Sequence, residues 1–118
     1  YFGEDVTKYR RNGTPYDAED AWLAGVDGAR GGLIMPGSPR IGDRYYQEYA
    51  PGTAMDRAEV VSLTETVEKA DGEDLENCLK TIETTPLEPN ERSSKFYARG
   101  IGLIYDSGLR LAEHGTAR

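Results

Sequence analysis

Histidine and cysteine are nearly missing from this chain: His114 and Cys78 each stand alone. A single cysteine excludes an intramolecular disulfide, and two such residues fall short of the several that a zinc site needs. Long apolar runs are missing too. None exceeds five residues, which excludes the class of chains that cross a membrane as helices. Positive charge is in deficit, with 14 Lys and Arg against 21 Asp and Glu. A net charge of −7 repels a phosphate backbone, so no nucleic-acid partner is expected. The start at Tyr1-Phe2-Gly3 shows no basic n-region and no apolar h-region, and reads as a mature, trimmed or truncated chain.

What is present suits one small β-rich domain over residues 1–118. The aromatic supply is mostly tyrosine, with 8 Tyr against 2 Phe and 1 Trp. A tyrosine ring is apolar and its hydroxyl wants a partner, so it favours half-buried faces and cavity walls. Residues 25–42 hold six Gly and two Pro, which excludes helix and predicts a long loop anchored by Leu33-Ile34-Met35. Asn12-Gly13 marks a turn, and Trp22 to Val26 reads as a short strand. Strands are expected over 44–50 and over 57–63, the second continuing to 69. A four-residue turn at 51–54 would set Glu48 opposite Arg57. Residues 75–85, rich in Thr, read as strand more than helix. Pro86 and Pro89 frame a loop, 93–98 is a strand, and a hairpin joins 101–105 to 109–111 through a three-residue loop at Asp106-Ser107-Gly108. Tyr49-Ala50-Pro51-Gly52 recurs as Tyr97-Ala98-Arg99-Gly100, a reused strand–turn–strand corner. The expected class is all-β: a curved antiparallel sheet or partly open barrel with a long Gly/Pro-rich loop.

No catalytic signature rises from these residues. His114 sits beside Gly115 near the end and reads most simply as an exposed side chain. Ser38, Ser93 and Ser94 lack a nucleophile elbow, and Cys78 reads as a small buried thiol. Asp71-Gly72-Glu73-Asp74-Leu75-Glu76 lacks the calcium-loop spacing and reads as a solvated acidic turn. The glycines of 25–42 match no phosphate-binding pattern. Asn12-Gly13-Thr14 is a formal glycosylation sequon, meaningful only in a eukaryotic secretory pathway. Carboxylate pairs such as Glu48 with Glu59, or Glu83 with Glu88, are the only material for hydrolysis, and among 21 acidic residues such pairs arise by chance. No cofactor and no metal are expected.

An ordered series of motifs nevertheless carries a family likeness. It runs through Tyr1-Phe-Gly-Glu4, Trp22-Leu-Ala-Gly-Val-Asp-Gly-Ala29, Gly32-Leu-Ile-Met-Pro36, Gly42-Asp-Arg-Tyr-Tyr-Gln-Glu-Tyr49 and Ala58-Glu-Val-Val-Ser-Leu63. It continues through Cys78-Leu-Lys-Thr81, Glu83-Thr-Thr-Pro-Leu-Glu-Pro89 and Phe96-Tyr-Ala-Arg-Gly-Ile-Gly-Leu103. The chain resembles an uncharacterised family of exported bacterial proteins, often lipoproteins, similar to the curved antiparallel half-barrels of lipoprotein carriers. The resemblance implies export to the periplasm, cell surface or exterior, and brings no catalytic residues. Members carry a further β-rich half before the Tyr-Phe-Gly-Glu segment. They have Pro where this chain has Arg99, and a Pro-Ala-Gly-x-Phe turn where it has Lys69 to Leu75. A sheet lacking that half would leave an open edge, through which a homodimer could form.

The expected function is non-catalytic: binding of a small apolar or amphipathic ligand on a face walled by Tyr45, Tyr46, Tyr49, Tyr97 and Tyr105. The alternatives are a small carboxylate-dependent hydrolase, with or without His114, and a structural or assembly module.

Overall fold

Three long strands of eleven or twelve residues dominate; two of them, over 57–68 and 74–85, interleave small, branched or apolar residues with polar ones, and the third, over 88–98, is polar until Phe96 and pairs along the second. A computed structural model describes residues 1–117. It is all-β, with no helix and about half of its residues in strands. In chain order the strands are β1 (Gly3–Glu4), β2 (Lys8–Tyr9), β3 (Pro15–Asp17), β4 (Trp22–Leu23), β5 (Arg44–Tyr46), β6 (Arg57–Glu68), β7 (Asp74–Thr85), β8 (Glu88–Ala98), β9 (Gly102–Asp106) and β10 (Leu109–Arg110). Strands β5 to β10 form one antiparallel meander in sequence order, while β1–β4 and β2–β3 are separate two-stranded ribbons. Among the described residues no sheet closes into a barrel.

The edge of β5 is not left open. The Gly/Pro-rich loop runs along it, with Arg30 N–H donating to Tyr49 O at 2.7 Å and Leu33 N–H to Tyr46 O at 2.9 Å. Gly32 also exchanges hydrogen bonds with Tyr1, so the N-terminal ribbon is tied on through the loop. Only glycine fits there, because a Cβ on Gly32 would stand 1.8 Å from the Gln47 carbonyl oxygen. At the other side the meander curls back on itself. Leu111 O accepts from Ala70 N–H at 3.0 Å, and the Arg110 guanidinium donates to Glu68 O.

Two apolar clusters result. Trp22, Ala29 and Ala50 pack where the ribbon meets the corner after β5. Val67, Cys78 and Ile104 pack inside the curl, with Leu75, Phe96, Tyr105 and Leu111 around them.

The register corrects several local expectations. Tyr46, not Glu48, lies opposite Arg57. The Ala50–Ala54 bridge encloses three residues instead of four, and Gln47 and Glu48 both donate their N–H to Asp56 O, a bulge that moves the pairing one residue further. Regular strand therefore stops at Tyr46. Pro86-Leu87 forms a tight turn, and Pro89 falls within β8, where the register shift between Thr84 and Thr85 leaves residues 89–91 without ladder partners and no N–H is missed. In the last hairpin Asp106 pairs with Leu109, so the loop has two residues. Ser107 and Gly108 both adopt positive φ, the geometry of a type I′ turn. The sequence echo is a structural one: Ala50 O accepts from Thr53 N–H and Ala98 O from Ile101 N–H, with Gly52 and Gly100 at φ 80 and 74.

Candidate functional site

Between Leu79 and Thr84 on β7, and between Arg92 and Tyr97 on β8, successive side chains alternate between two faces, and the pairing extends each face across the sheet. One face carries the rows Tyr45–Ala58–Glu83–Ser93 and Val60–Thr81–Lys95–Asp106, continued by Leu79 and Tyr97. The other carries Tyr46–Arg57–Thr84–Arg92, Arg44–Glu59–Ile82–Ser94 and Lys80–Phe96–Tyr105–Arg110.

The first face is buried and polar. Val60 and Thr81 are fully buried and Glu83 is 5% exposed. The bulge turns Gln47 toward the loop, where its amide nitrogen donates to Ile34 O. Lys95 Nζ pairs with Glu83 Oε2 at 2.9 Å and stands 3.9 Å from Asp106 Oδ2. Burial alone would lower the Lys95 ammonium; the Glu83 carboxylate outweighs it and raises Lys95. Burial lifts Glu48 to about 7, with Asp56 and Glu4 adding repulsion. Burial and then Glu83 raise Asp56. Tyr45 is pushed up to about 12 by burial and by Tyr97 and Glu83, and burial raises Tyr97 as well. Among the described residues, Tyr45 OH, Thr81 Oγ1 and Glu83 Oε1 are buried without a hydrogen-bond partner.

The second face is open at the β5 end and forms a groove of about 310 Å³. Arg44, Tyr46, Arg57, Glu59, Ile82, Thr84 and Arg92 line it, with Tyr45 and Ala58 at its margin. That volume sits at the lower limit of small-molecule sites, roughly 300–1,000 Å³. Arg44 grips Glu59 through Nε at 3.1 Å and a second nitrogen at 3.4 Å, so this acidic residue is neutralised within the groove. Further along the same face, Lys80 and Arg110 flank the edge-on pair of Phe96 and Tyr105, 5.5 Å from the Phe96 centroid and 5.1 Å from the Tyr105 centroid respectively.

The five tyrosines singled out from sequence do not make one wall. Tyr45 and Tyr97 belong to the buried polar face. Tyr46 and Tyr105 belong to the other, and Tyr105 is packed against Phe96 inside the curl. Tyr46 and Tyr49 meet edge-on at 5.2 Å, with Arg30 over the Tyr49 ring. The pairing of Glu48 with Glu59 is not formed: the register puts Glu59 on the groove face beside Arg44, while Glu48 answers to Asp56 and Glu4. Glu83 is engaged by Lys95, not Glu88. His114 is exposed beyond the last strand. Cys78 is fully buried, donates to Leu75 O at 3.2 Å, and its thiol is raised by burial. Asp71 and Glu73 close on Lys69, which accounts for the acidic turn. Among the described residues no group of three His, Cys, Asp or Glu is arranged for a metal.

The arginine row escaped the sequence reading. Arg57, Thr84 and Arg92 are 27 and 8 positions apart in the chain, and only the two-residue turn at Pro86-Leu87 together with the long β6–β7 hairpin puts them side by side. Comparison with protein-family models, with curated proteins and with solved structures finds no match.

Proposed function

We propose that the protein is a binding module that takes a small amphipathic ligand in the groove between β5 and β8. The observation that carries this reading is the mixed lining: the Tyr46 ring and Ile82 offer apolar surface, and Thr84 and the arginines offer donors. Covering about 100 Å² of apolar surface contributes roughly 2.5 kcal/mol before the cost of association. Such a ligand is held weakly by its apolar part and positioned by its polar end. Export, which the family resemblance implies, belongs to the same proposal.

Calorimetric titration with a short alkyl glucoside tests the groove itself. Ile82→Trp, which fills the floor, is expected to abolish the heat while leaving the circular dichroism unchanged. Undiminished binding by that variant would remove the groove from consideration.

A second reading has one observation in its favour. Glu48, raised to about 7 next to Asp56, is about half protonated at neutral pH and could serve a hydrolase as an acid. Turnover of an ester or glycoside that disappears in Glu48→Gln would establish it.

A further inference from the structure

Resting on the groove reading above, we infer that the ligand's polar end is a phosphate monoester, held by Arg57 and Arg92 across Thr84. Arg57 pairs with Thr84 on β7, and Thr84 with Arg92 on β8, so the three residues form one row on one face. Strand spacing sets the two arginine Cα atoms about 10 Å apart, with the threonine midway. Both guanidinium groups can lean inward over the Thr84 hydroxyl from opposite sides. The intervening Thr84 is neutral, so nothing on the row offsets the two positive charges. Among the described residues neither arginine lies within ion-pair distance of a carboxylate. Glu59, the one acidic side chain in the groove lining, is already engaged by Arg44.

The row is thus a local surplus of positive charge in a chain of net charge −7. That combination favours a small anion over a polyanion, because the acidic remainder of the surface repels an extended phosphate backbone. The geometry selects among small anions. One guanidinium fork satisfies both oxygens of a carboxylate. Two forks and a hydroxyl arriving from three directions need more acceptors, and a phosphate monoester presents three terminal oxygens with a charge of about −1.5 to −2 at neutral pH. The fourth oxygen carries the organic part. Ile82 stands two residues along β7 from Thr84 on the same face, where the first carbons of that part would lie.

The test is a calorimetric series on the whole chain at low ionic strength, using hexyl phosphate, hexanoate, hexyl glucoside and inorganic phosphate. Hexyl phosphate is expected to bind at least about tenfold more tightly than hexyl glucoside or hexanoate. Arg57→Gln with Arg92→Gln should bring hexyl phosphate down to the affinity that the same variant shows for hexyl glucoside. The Lys pair at the same positions keeps the charge, loses the forks, and should fall between. Equal binding of hexyl phosphate and hexyl glucoside would overturn the anion site while leaving the groove reading intact. Hexanoate matching hexyl phosphate would overturn the choice of phosphate. Inorganic phosphate binding as tightly as hexyl phosphate, and lost in the Gln pair, would support the arginine site as one for the free ion and overturn the part given to Ile82. Failure of all four ligands would sink the groove reading along with the inference.

Discussion

The two ends of the meander bury opposite faces. At the β5 end the enclosed face is the polar one, with Glu83, Lys95, Thr81 and Tyr45 gathered beneath the loop and the N-terminal ribbon. At the curled end the enclosed face is the one that carries the groove, and it is filled by Val67, Cys78 and Ile104. A twisted sheet allows this, since its neighbouring strands are rotated relative to one another, so that different segments can cover different faces at its two ends. The difference has a cost structure. Apolar burial stabilises the curl without conditions, whereas each charge at the β5 end holds only while its partner does.

Deleting side chains at either end should separate the two modes. Ile104, 2% exposed, is the largest fully buried side chain. Ile104→Ala is expected to cost about 3 kcal/mol by denaturant titration, from lost transfer energy plus the cavity left behind. A cost near zero would mean the curl is not the main core. At the other end, Lys95→Met strands the Glu83 carboxylate, and a loss of about 2 kcal/mol is expected because the pair is only partly desolvated. The double change Lys95→Met with Glu83→Gln should recover most of it, as no such rescue exists for Ile104. Additive losses in that cycle would deny the coupling.

The smallest expected effect is a pH dependence confined to the polar end. Glu48 titrates near 7 in the folded chain and near 4.5 unfolded, so the folded state binds the extra proton between those values. Its contribution is fully present below about 4.5 and is lost as pH rises through 7. Discounted for solvent screening, this amounts to roughly 1–2 kcal/mol. Thermal unfolding should therefore occur at lower temperature at pH 8 than at pH 5, and Glu48→Gln should flatten that slope. An unchanged slope would place the titrating group elsewhere.

Local chemistry made much of this readable in advance. The alternation from Arg57 onward and the threonines of 81–85 mark β6 and β7, because β-branched and small residues fit a pleated surface whatever lies across from them. The glycines of 25–42 announced a loop for the same local reason. The tyrosine wall was not readable. Tyr45 and Tyr46 are neighbours on one strand and must face opposite ways, while Tyr49 lies past a bulge that exists only because Asp56 O meets two N–H groups.

The arginine row shows the limit most plainly. That Arg57 and Arg92 are strand residues follows from their own surroundings. That they flank Thr84 depends on how many residues each turn consumes and where each bulge falls, and a slip of one position would send them to the other face. By itself, then, the sequence determined the all-β class, the long strands, the position of the loop and the burial of a lone thiol, since each follows from the preferences of a few adjacent residues. Tertiary structure alone decided which face is enclosed at each end, which carboxylates keep company, and that Arg57 and Arg92 share one row with Thr84. Those outcomes hang on register and twist, which accumulate over whole strands and are fixed only when the sheet has formed.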